Sequence, residues 1–241
     1  MRTLDALLEE ERMASEPTKT LAPVRVILFG ATGMIGGGVL RHLLQRDDVE
    51  AVLSVSRRAS GFEHAKLTEV LHDDFTDYSA LEERFKDYNT CFFALGISSM
   101  GLSEAEYTRI TYDYAVAAAE SMVRVNPAMT FVFISGMGTD ETLKSRQMWA
   151  RVKGKTENKL KTLPFKSVYL FRPAYTHPYP GQKVNTALTI VSPFFPVLKA
   201  IFPKYVATVD QMGAALVNAA RHGSGLQTLE CADIVALAER H

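Results

Sequence analysis

The sequence predicts a doubly wound α/β fold: a parallel sheet with helices on both faces and a small cap from the C-terminal third. Three observations carry this. Short apolar runs rich in β-branched and aromatic residues alternate with helical stretches from Val24 to Arg172. The first run leads into glycines at three-residue steps, Gly30, Gly33 and Gly36. Six prolines lie between Pro173 and Pro203, where the alternation loosens.

Each element has a local reason. Val24–Phe29, VRVILF, is an apolar β-branched run suited to a strand buried on both faces. Met34–Leu44 follows as a helix, then Ala51–Val55 as a second strand and Leu67–Leu71 as a third. Tyr78–Phe85 reads as a short helix and Thr90–Ala94 as the fourth strand. Ser103–Val125 is a long helix whose Ala115, Ala117, Ala118 and Ala119 offer a small-residue packing face. Thr130–Ser135, Gln147–Leu163 and Ser167–Arg172 continue as strand, helix and strand. Asp210–Arg221, Leu226–Glu230 and Ala232–Arg240 read as helix, last strand and closing helix. The chain of 241 residues is expected to form one domain over 24–241, with 173–206 as a substrate-side cap. Residues 1–23 form a flexible extension, with a short amphipathic turn at Leu4, Leu7 and Leu8 and a linker from Ser15.

The glycine stretch carries the chemistry. A strand, a glycine turn and a helix make the first half of a dinucleotide site, because the backbone must approach a diphosphate closely. Unpaired N–H groups in the first helical turn then meet the anion at the positive end of the helix dipole. Gly37 and Gly38 each cost a helix interior about 1 kcal/mol relative to Ala, which argues for close packing there. No Gly-Lys-Ser or Gly-Lys-Thr follows, so a triphosphate loop is disfavoured. The competing reading is an ordinary tight turn. The dinucleotide reading makes this a Rossmann sheet of strand order 3-2-1-4-5-6.

At the end of the second strand stand Ser56, Arg57 and Arg58, with no acid to accept from a ribose hydroxyl. Arginine pairs with a 2′-phosphate, so the cofactor expected is NADP rather than NAD. Two solvated arginines are the plainer alternative. Asp74 and Phe75 fall where a carboxylate or backbone N–H meets adenine, although Asp74 reads equally well as a helix cap. Ala94, Leu95 and Gly96 follow the fourth strand, where Gly96 permits close approach to the ribose or diphosphate.

Certain stretches resemble the atypical and extended short-chain dehydrogenase/reductase superfamily, within it the Tat-interacting-protein-like and bacterial sugar-epimerase-like group. The matching residues are Gly30-Ala31-Thr32-Gly33-Met34-Ile35-Gly36, Ser56-Arg57-Arg58, Asp74-Phe75, Phe133-Ile134-Ser135, Arg151-Val152-Lys153-Gly154, Glu157 and Phe171-Arg172-Pro173. The resemblance covers about Val24 to Tyr179. It implies that Thr32, Met34, Ile35, Ser135, Lys153, Arg172 and Pro173 join the glycines, arginines and strand-end residues at the cofactor.

The resemblance also implies a catalytic serine after the fifth strand and a tyrosine four residues before a lysine. Ser135 and Lys153 match two of these places, and Trp149 stands where the tyrosine belongs. An indole N–H cannot supply or accept a proton near neutral pH, so the tyrosine mechanism does not carry over. Substitute acids are Tyr112, Tyr175, Tyr179 and His177, of which His177, with an ordinary pKa near neutrality, is the preferred candidate.

Formal net charge is zero, which argues against nucleic acid or an anionic surface as an electrostatic partner of the whole chain. The lysines at 153, 155, 159 and 161 are interrupted by Glu157 and read as a solvated face. His64, His72 and Asp73 form no plausible metal set, since no third ligand stands at a helical or loop spacing. Cys91 and Cys231 have no metal spacing and suit a reducing, cytoplasmic setting. The apolar stretch 189–206 contains Pro193, Pro196, Pro203 and Lys199, so it is expected to cover a pocket or a partner rather than span a membrane. Two functions are expected: an NADP-dependent oxidoreductase or epimerase-like enzyme on a small carbonyl or hydroxyl compound, or a redox-inactive NADP-binding regulator that docks a protein. Folds of this kind often dimerise through the helices at 103–125 and 147–163, and by that analogy alone a homodimer is one candidate assembly.

Overall fold

The computed structural model describes residues 22–240 apart from Lys183 and Asn185. The turn expected at Leu4–Leu8 and most of the linker after it lie outside the described residues. Strands form at Val24–Phe29 (β1), Val49–Ser56 (β2), Leu67–Leu71 (β3), Thr90–Phe93 (β4), Thr130–Ile134 (β5), Ser167–Arg172 (β6), Tyr175–His177 (β7), Val206–Thr208 (β8) and Thr228–Glu230 (β9). Helices form at Met34–Leu44 (α1) and Glu82–Phe85 (α2), then at Glu104–Thr108 and Tyr114–Val125, joined by a π turn at Arg109–Asp113 (together α3). They continue at Met148–Lys161 (α4), Thr186–Val191 (α5), Phe195–Ile201 (α6), Val209–His222 (α7) and Cys231–Ala238 (α8).

The main sheet is parallel throughout, in the order β3-β2-β1-β4-β5-β6-β9. It contains the expected 3-2-1-4-5-6 order, with β9 added at the edge beside β6. Side chains alternate across it, as the period of two requires. Val26 and Leu28 of β1 point to one core with α1, α7 and α8, through Leu40, Leu43, Met212, Leu216 and Ile234. Ile27 and Phe29 point to the other with α2, α3 and α4, through Phe85, Ala115, Met122 and Leu160. Ala115, Ala118 and Ala119 are fully buried there, so the alanine face is spent on the sheet.

Capping residues set several starts. Ser103 accepts from the Glu106 backbone N–H while Glu106 reaches back, a capping box for α3. Thr208 and Gln211 do the same for α7.

The cap is more regular than its prolines predict. β7 and β8 pair in parallel as a second small sheet, with Tyr175 opposite Val206. Pro193, Pro196 and Pro203 stand in the first turn of short helical segments, where no N–H is needed and φ is already suitable.

Candidate functional site

The site lies along the C-terminal ends of β1, β2, β4 and β5, where open parallel sheets bind ligands. Gly30 has φ of +82°, and a Cβ on it would come within 2.6 Å of the Ala94 carbonyl oxygen. At Gly36 a Cβ would lie 2.0 Å from the Gly30 carbonyl oxygen, so the helix start closes directly on the turn. Gly38 serves a different contact: its Cβ would lie 2.5 Å from Cβ of Val209, so α1 and α7 touch nearly backbone to side chain. Gly33 is the N-cap of α1, with no side-chain cap and no acid in the first turn. A Cβ there would meet only the Gly30 oxygen, at 3.3 Å. The first-turn N–H groups thus have no side-chain partner and face open space, a cradle that fits a diphosphate.

A groove of about 120 Å³ continues from this turn, lined by Gly30, Thr32, Gly33, Ser56, Arg57, Arg58, Phe75, Ala94, Leu95 and Gly96. A larger cavity of about 520 Å³ opens on its flank, sharing Thr32, Gly33 and Arg58 and reaching Tyr179, Gly181 and Gln182 of the cap. Ser56 Oγ donates to the Arg58 carbonyl at 2.6 Å and shapes the arginine turn. Arg57 and Arg58 are both exposed, and neither guanidinium pairs with a carboxylate among the described residues. Glu69, on neighbouring β3, accepts from the Ser60 backbone N–H at 2.8 Å instead.

Asp74 is engaged as a turn residue. Its Oδ1 accepts from the Thr76 N–H at 2.9 Å and hydroxyl at 2.5 Å, bonds that hold its carboxyl below the usual range. The helix-start function is taken by Asp77, which accepts from the Ser79 N–H. Phe75 is buried edge-on against Phe29 and Tyr78.

At the end of β5 the structure gathers Ser135, Thr139, Trp149 and Lys153. The Thr139 hydroxyl donates to the Gly136 carbonyl at 2.7 Å. That spends its one proton, so the 3.0 Å contact between the two hydroxyls is a donation from Ser135. Ser135 Oγ is left as an acceptor. Lys153 Nζ lies 5.6 Å from the centre of the Phe133 ring and 3.5 Å from the Ile134 carbonyl. Burial brings the ammonium down to about 8, against the opposing pull of Glu157. Trp149 packs on the backbone of Gly138, where a Cβ would meet its ring at 3.3 Å.

Two expected site residues stand elsewhere. The Arg172 guanidinium, expected at the cofactor, is bound by three carboxylates. Its Nε donates to Glu157 Oε1 at 3.0 Å, and its Nη2 binds Glu157 Oε2 and, at 2.5 Å, Glu141. Nη1 reaches Glu230 at 3.2 Å. Glu157 is fully buried, so this fork is a structural clamp between α4 and β6, and it corrects the expectation for the Arg172 side chain. His177 does not join Ser135 and Lys153 either. Its ring stacks on Phe195 at 3.9 Å and its Nδ1 shares a 3.1 Å hydrogen bond with the Tyr175 hydroxyl. It lines a cap cavity of about 730 Å³ with Tyr179, Gln182 and Pro193, which borders the 520 Å³ cavity through Tyr179, Gly181 and Gln182. Of the other aromatics, Tyr112 lies under Lys155 and Tyr179 under Arg41, away from Lys153. Pro173 offers its carbonyl to the Met137 N–H.

Gln182 carried no signal in the sequence. Its Nε2 donates to the Met34 carbonyl at 2.6 Å, tying the cap to the first turn of α1. Only three-dimensional proximity reveals this.

Fold and groove together define a dinucleotide-binding protein of the Rossmann type. Residues 30–165, more than half of the chain, match the NAD(P)H-binding family, and the chain belongs to it. It is 28% identical over 156 residues to the mitochondrial protein FMP52 of Meyerozyma guilliermondii, covering 62% of this chain and 64% of that protein. It is 26% identical over 151 residues to HTATIP2 of Rattus norvegicus, covering 61% of each chain. Both alignments thus span less than two thirds of the relative's own length. In fold, the chain is similar to the Bordetella bronchiseptica enzyme WbmG in complex with NAD. That likeness has a TM-score of 0.64 at 14% identity, over 89% of this chain and 74% of that one.

Proposed function

We propose that this protein binds NADPH in preference to NADH and acts as a short-chain-dehydrogenase-like oxidoreductase on a small carbonyl or hydroxyl compound. The observation that carries the cofactor reading is the exposed Arg57–Arg58 turn lining the groove, its guanidiniums without a carboxylate partner among the described residues. Gly30, Gly33 and Gly36, with the N–H groups of Thr32, Met34 and Ile35, would hold the diphosphate. Arg57 and Arg58 would hold the 2′-phosphate. Asp74, Phe75, Ala94, Leu95 and Gly96 would flank the adenosine by backbone and side chain.

When bound, NADPH supplies a hydride. The accompanying proton must come from the protein. Trp149 cannot give one, and Ser135 has committed its own to Thr139. Lys153, at about 8, can carry a proton near neutral pH and release it to a carbonyl oxygen. Ser135 would accept from the nicotinamide amide or a substrate hydroxyl. The two cysteines are buried free thiols, which fits a reducing compartment.

Trp149 and the committed Ser135 proton favour a second reading, a redox-inactive NADPH-binding regulator. The discriminating test is NADPH consumption with a panel of small aldehydes and ketones, followed against pH for wild type and Lys153→Met. The enzyme reading predicts turnover that declines above pH about 8 and is lost in the variant. NADPH binding without turnover in either protein supports the regulator.

A further inference from the structure

The loop that follows β7 lies along one face of α1 and is held there at two points. Gln182 Nε2 donates to the Met34 carbonyl at 2.6 Å. The Tyr179 ring lies 4.9 Å from the guanidinium of Arg41, which is itself bound to Asp210 at 3.3 Å. Met34, Gly37 and Arg41 are spaced by three and four residues, so they share one stripe of the helix. Gly37 keeps the middle of that stripe bare: a Cβ there would lie 3.8 Å from Gln182 Nε2. The loop is also fixed internally. The Gln182 side-chain oxygen accepts from the Tyr179 N–H at 3.2 Å, and the Gln182 N–H donates to the Tyr179 carbonyl at 3.1 Å. Gly181 makes the turn between them at a φ of +82°. Both ends of the Gln182 amide are engaged, which sets its orientation.

The bonded carbonyl belongs to the cradle. Met34 and Ile35 share one planar peptide unit, with the carbonyl on one side and the Ile35 N–H on the other. The N–H groups of Met34, Ile35 and Gly36 in the first turn of α1 have no helical partner and point out of its N-terminus. Donation to the Met34 carbonyl draws charge across the amide, makes the Ile35 N–H a stronger donor and holds that peptide plane in place. The same loop is a wall of two cavities. Tyr179, Gly181 and Gln182 line the one of about 520 Å³ that reaches Thr32 and Gly33. They also line the cap cavity of about 730 Å³ beside His177 and Ser192.

We propose that Gln182 is a positioning residue for the dinucleotide: it fixes the Met34–Ile35 peptide for the diphosphate and so couples the cap wall to cofactor occupancy. This role rests on the dinucleotide reading of the groove. The diphosphate is common to both nucleotides, so Gln182 acts on NADPH and NADH alike, in contrast to the arginine pair. By linkage, a bound diphosphate stabilises the tied loop as much as the tied loop stabilises the diphosphate.

Isothermal titration of the full chain with NADPH and NADH, joined to hydrogen exchange at the Tyr179 and Gln182 amides, tests it. Gln182→Leu removes the donor and should weaken both nucleotides by the same factor, about three- to tenfold. Gln182→Glu keeps an acceptor for the Tyr179 N–H, cannot donate to Met34 when ionised, and sets a negative charge beside the diphosphate. It should weaken both nucleotides about thirtyfold, and part of that loss should vanish at high salt. NADPH should slow exchange at the two loop amides in wild type and leave it unchanged in Gln182→Glu. An unchanged melting temperature identifies the folded variants. Folded variants that bind both nucleotides like wild type overturn the proposal, as does a wild type whose loop amides exchange equally fast with and without NADPH. A loss confined to NADPH moves Gln182 to the 2′-phosphate and overturns it too. A wild type that binds neither nucleotide removes the dinucleotide reading and this role with it.

Discussion

At the scale of single residues, the tight glycine turn was readable because its close contacts follow from local geometry. A Cβ at Gly36 has nowhere to go but into the Gly30 carbonyl, 2.0 Å away. Gly36→Ala should therefore cost about 1–3 kcal/mol of stability in urea titration, with the cofactor turn distorted. Exposed Arg57 and Arg58 have no such internal constraint, and their substitution should leave stability unchanged. Arg57→Ala with Arg58→Ala should weaken NADPH at least about a hundredfold, since each charge-assisted bond contributes about 1.5–3 kcal/mol, and NADH only slightly. Equal losses for both nucleotides would contradict the 2′-phosphate assignment. Lys153 makes a pH prediction. Its folded value of about 8 lies below the ordinary 10.5, so below pH 8 the folded state carries a disfavoured charge. That penalty is relieved as pH rises from 8 to 10.5. The stability gained by Lys153→Met over wild type should thus be largest at pH 7 and shrink across that window, as read by thermal melts. The carboxylates of Glu141, Glu157 and Glu230 that hold the Arg172 side chain were not legible, because the sequence does not show distant residues folding onto one guanidinium.

Among the elements, those with a strong local pattern were legible to the residue. β1, β3, β6 and α1 occupy the ranges their apolar runs and glycines indicate. The β7–β8 pair was not, since each strand is three residues long and its partner is distant in the chain. Prolines read as breakers there because a sequence does not display which of them stand at helix starts. The clamp between α4 and β6 carries its own prediction. Glu157→Gln leaves Arg172 short of its buried partner and should cost about 3–5 kcal/mol in chemical denaturation. Replacing both, Glu157→Leu with Arg172→Met, should cost less than the single change, because no unpaired charge then remains. A double variant as unstable as the single one would point to packing rather than charge.

For the whole molecule, two helical layers fix the sheet so that residues following β1, β2, β3 and β4 line one groove, with the cap tied to its glycine turn through Gln182 and Met34. The scaffold was legible because strand order follows from alternation and a single glycine turn. The cap cavity was not: it is assembled from loop and helix residues that share no spacing, and His177, in the β7–β8 pair, lines it. The central claim, a groove built for a phosphorylated dinucleotide, is tested most directly by isothermal titration of the full chain with NADPH and with NADH separately. Tight NADPH binding with NADH at least about tenfold weaker is the predicted result. Equal affinities would remove the arginine argument, and binding of neither would contradict the glycine turn as a diphosphate cradle.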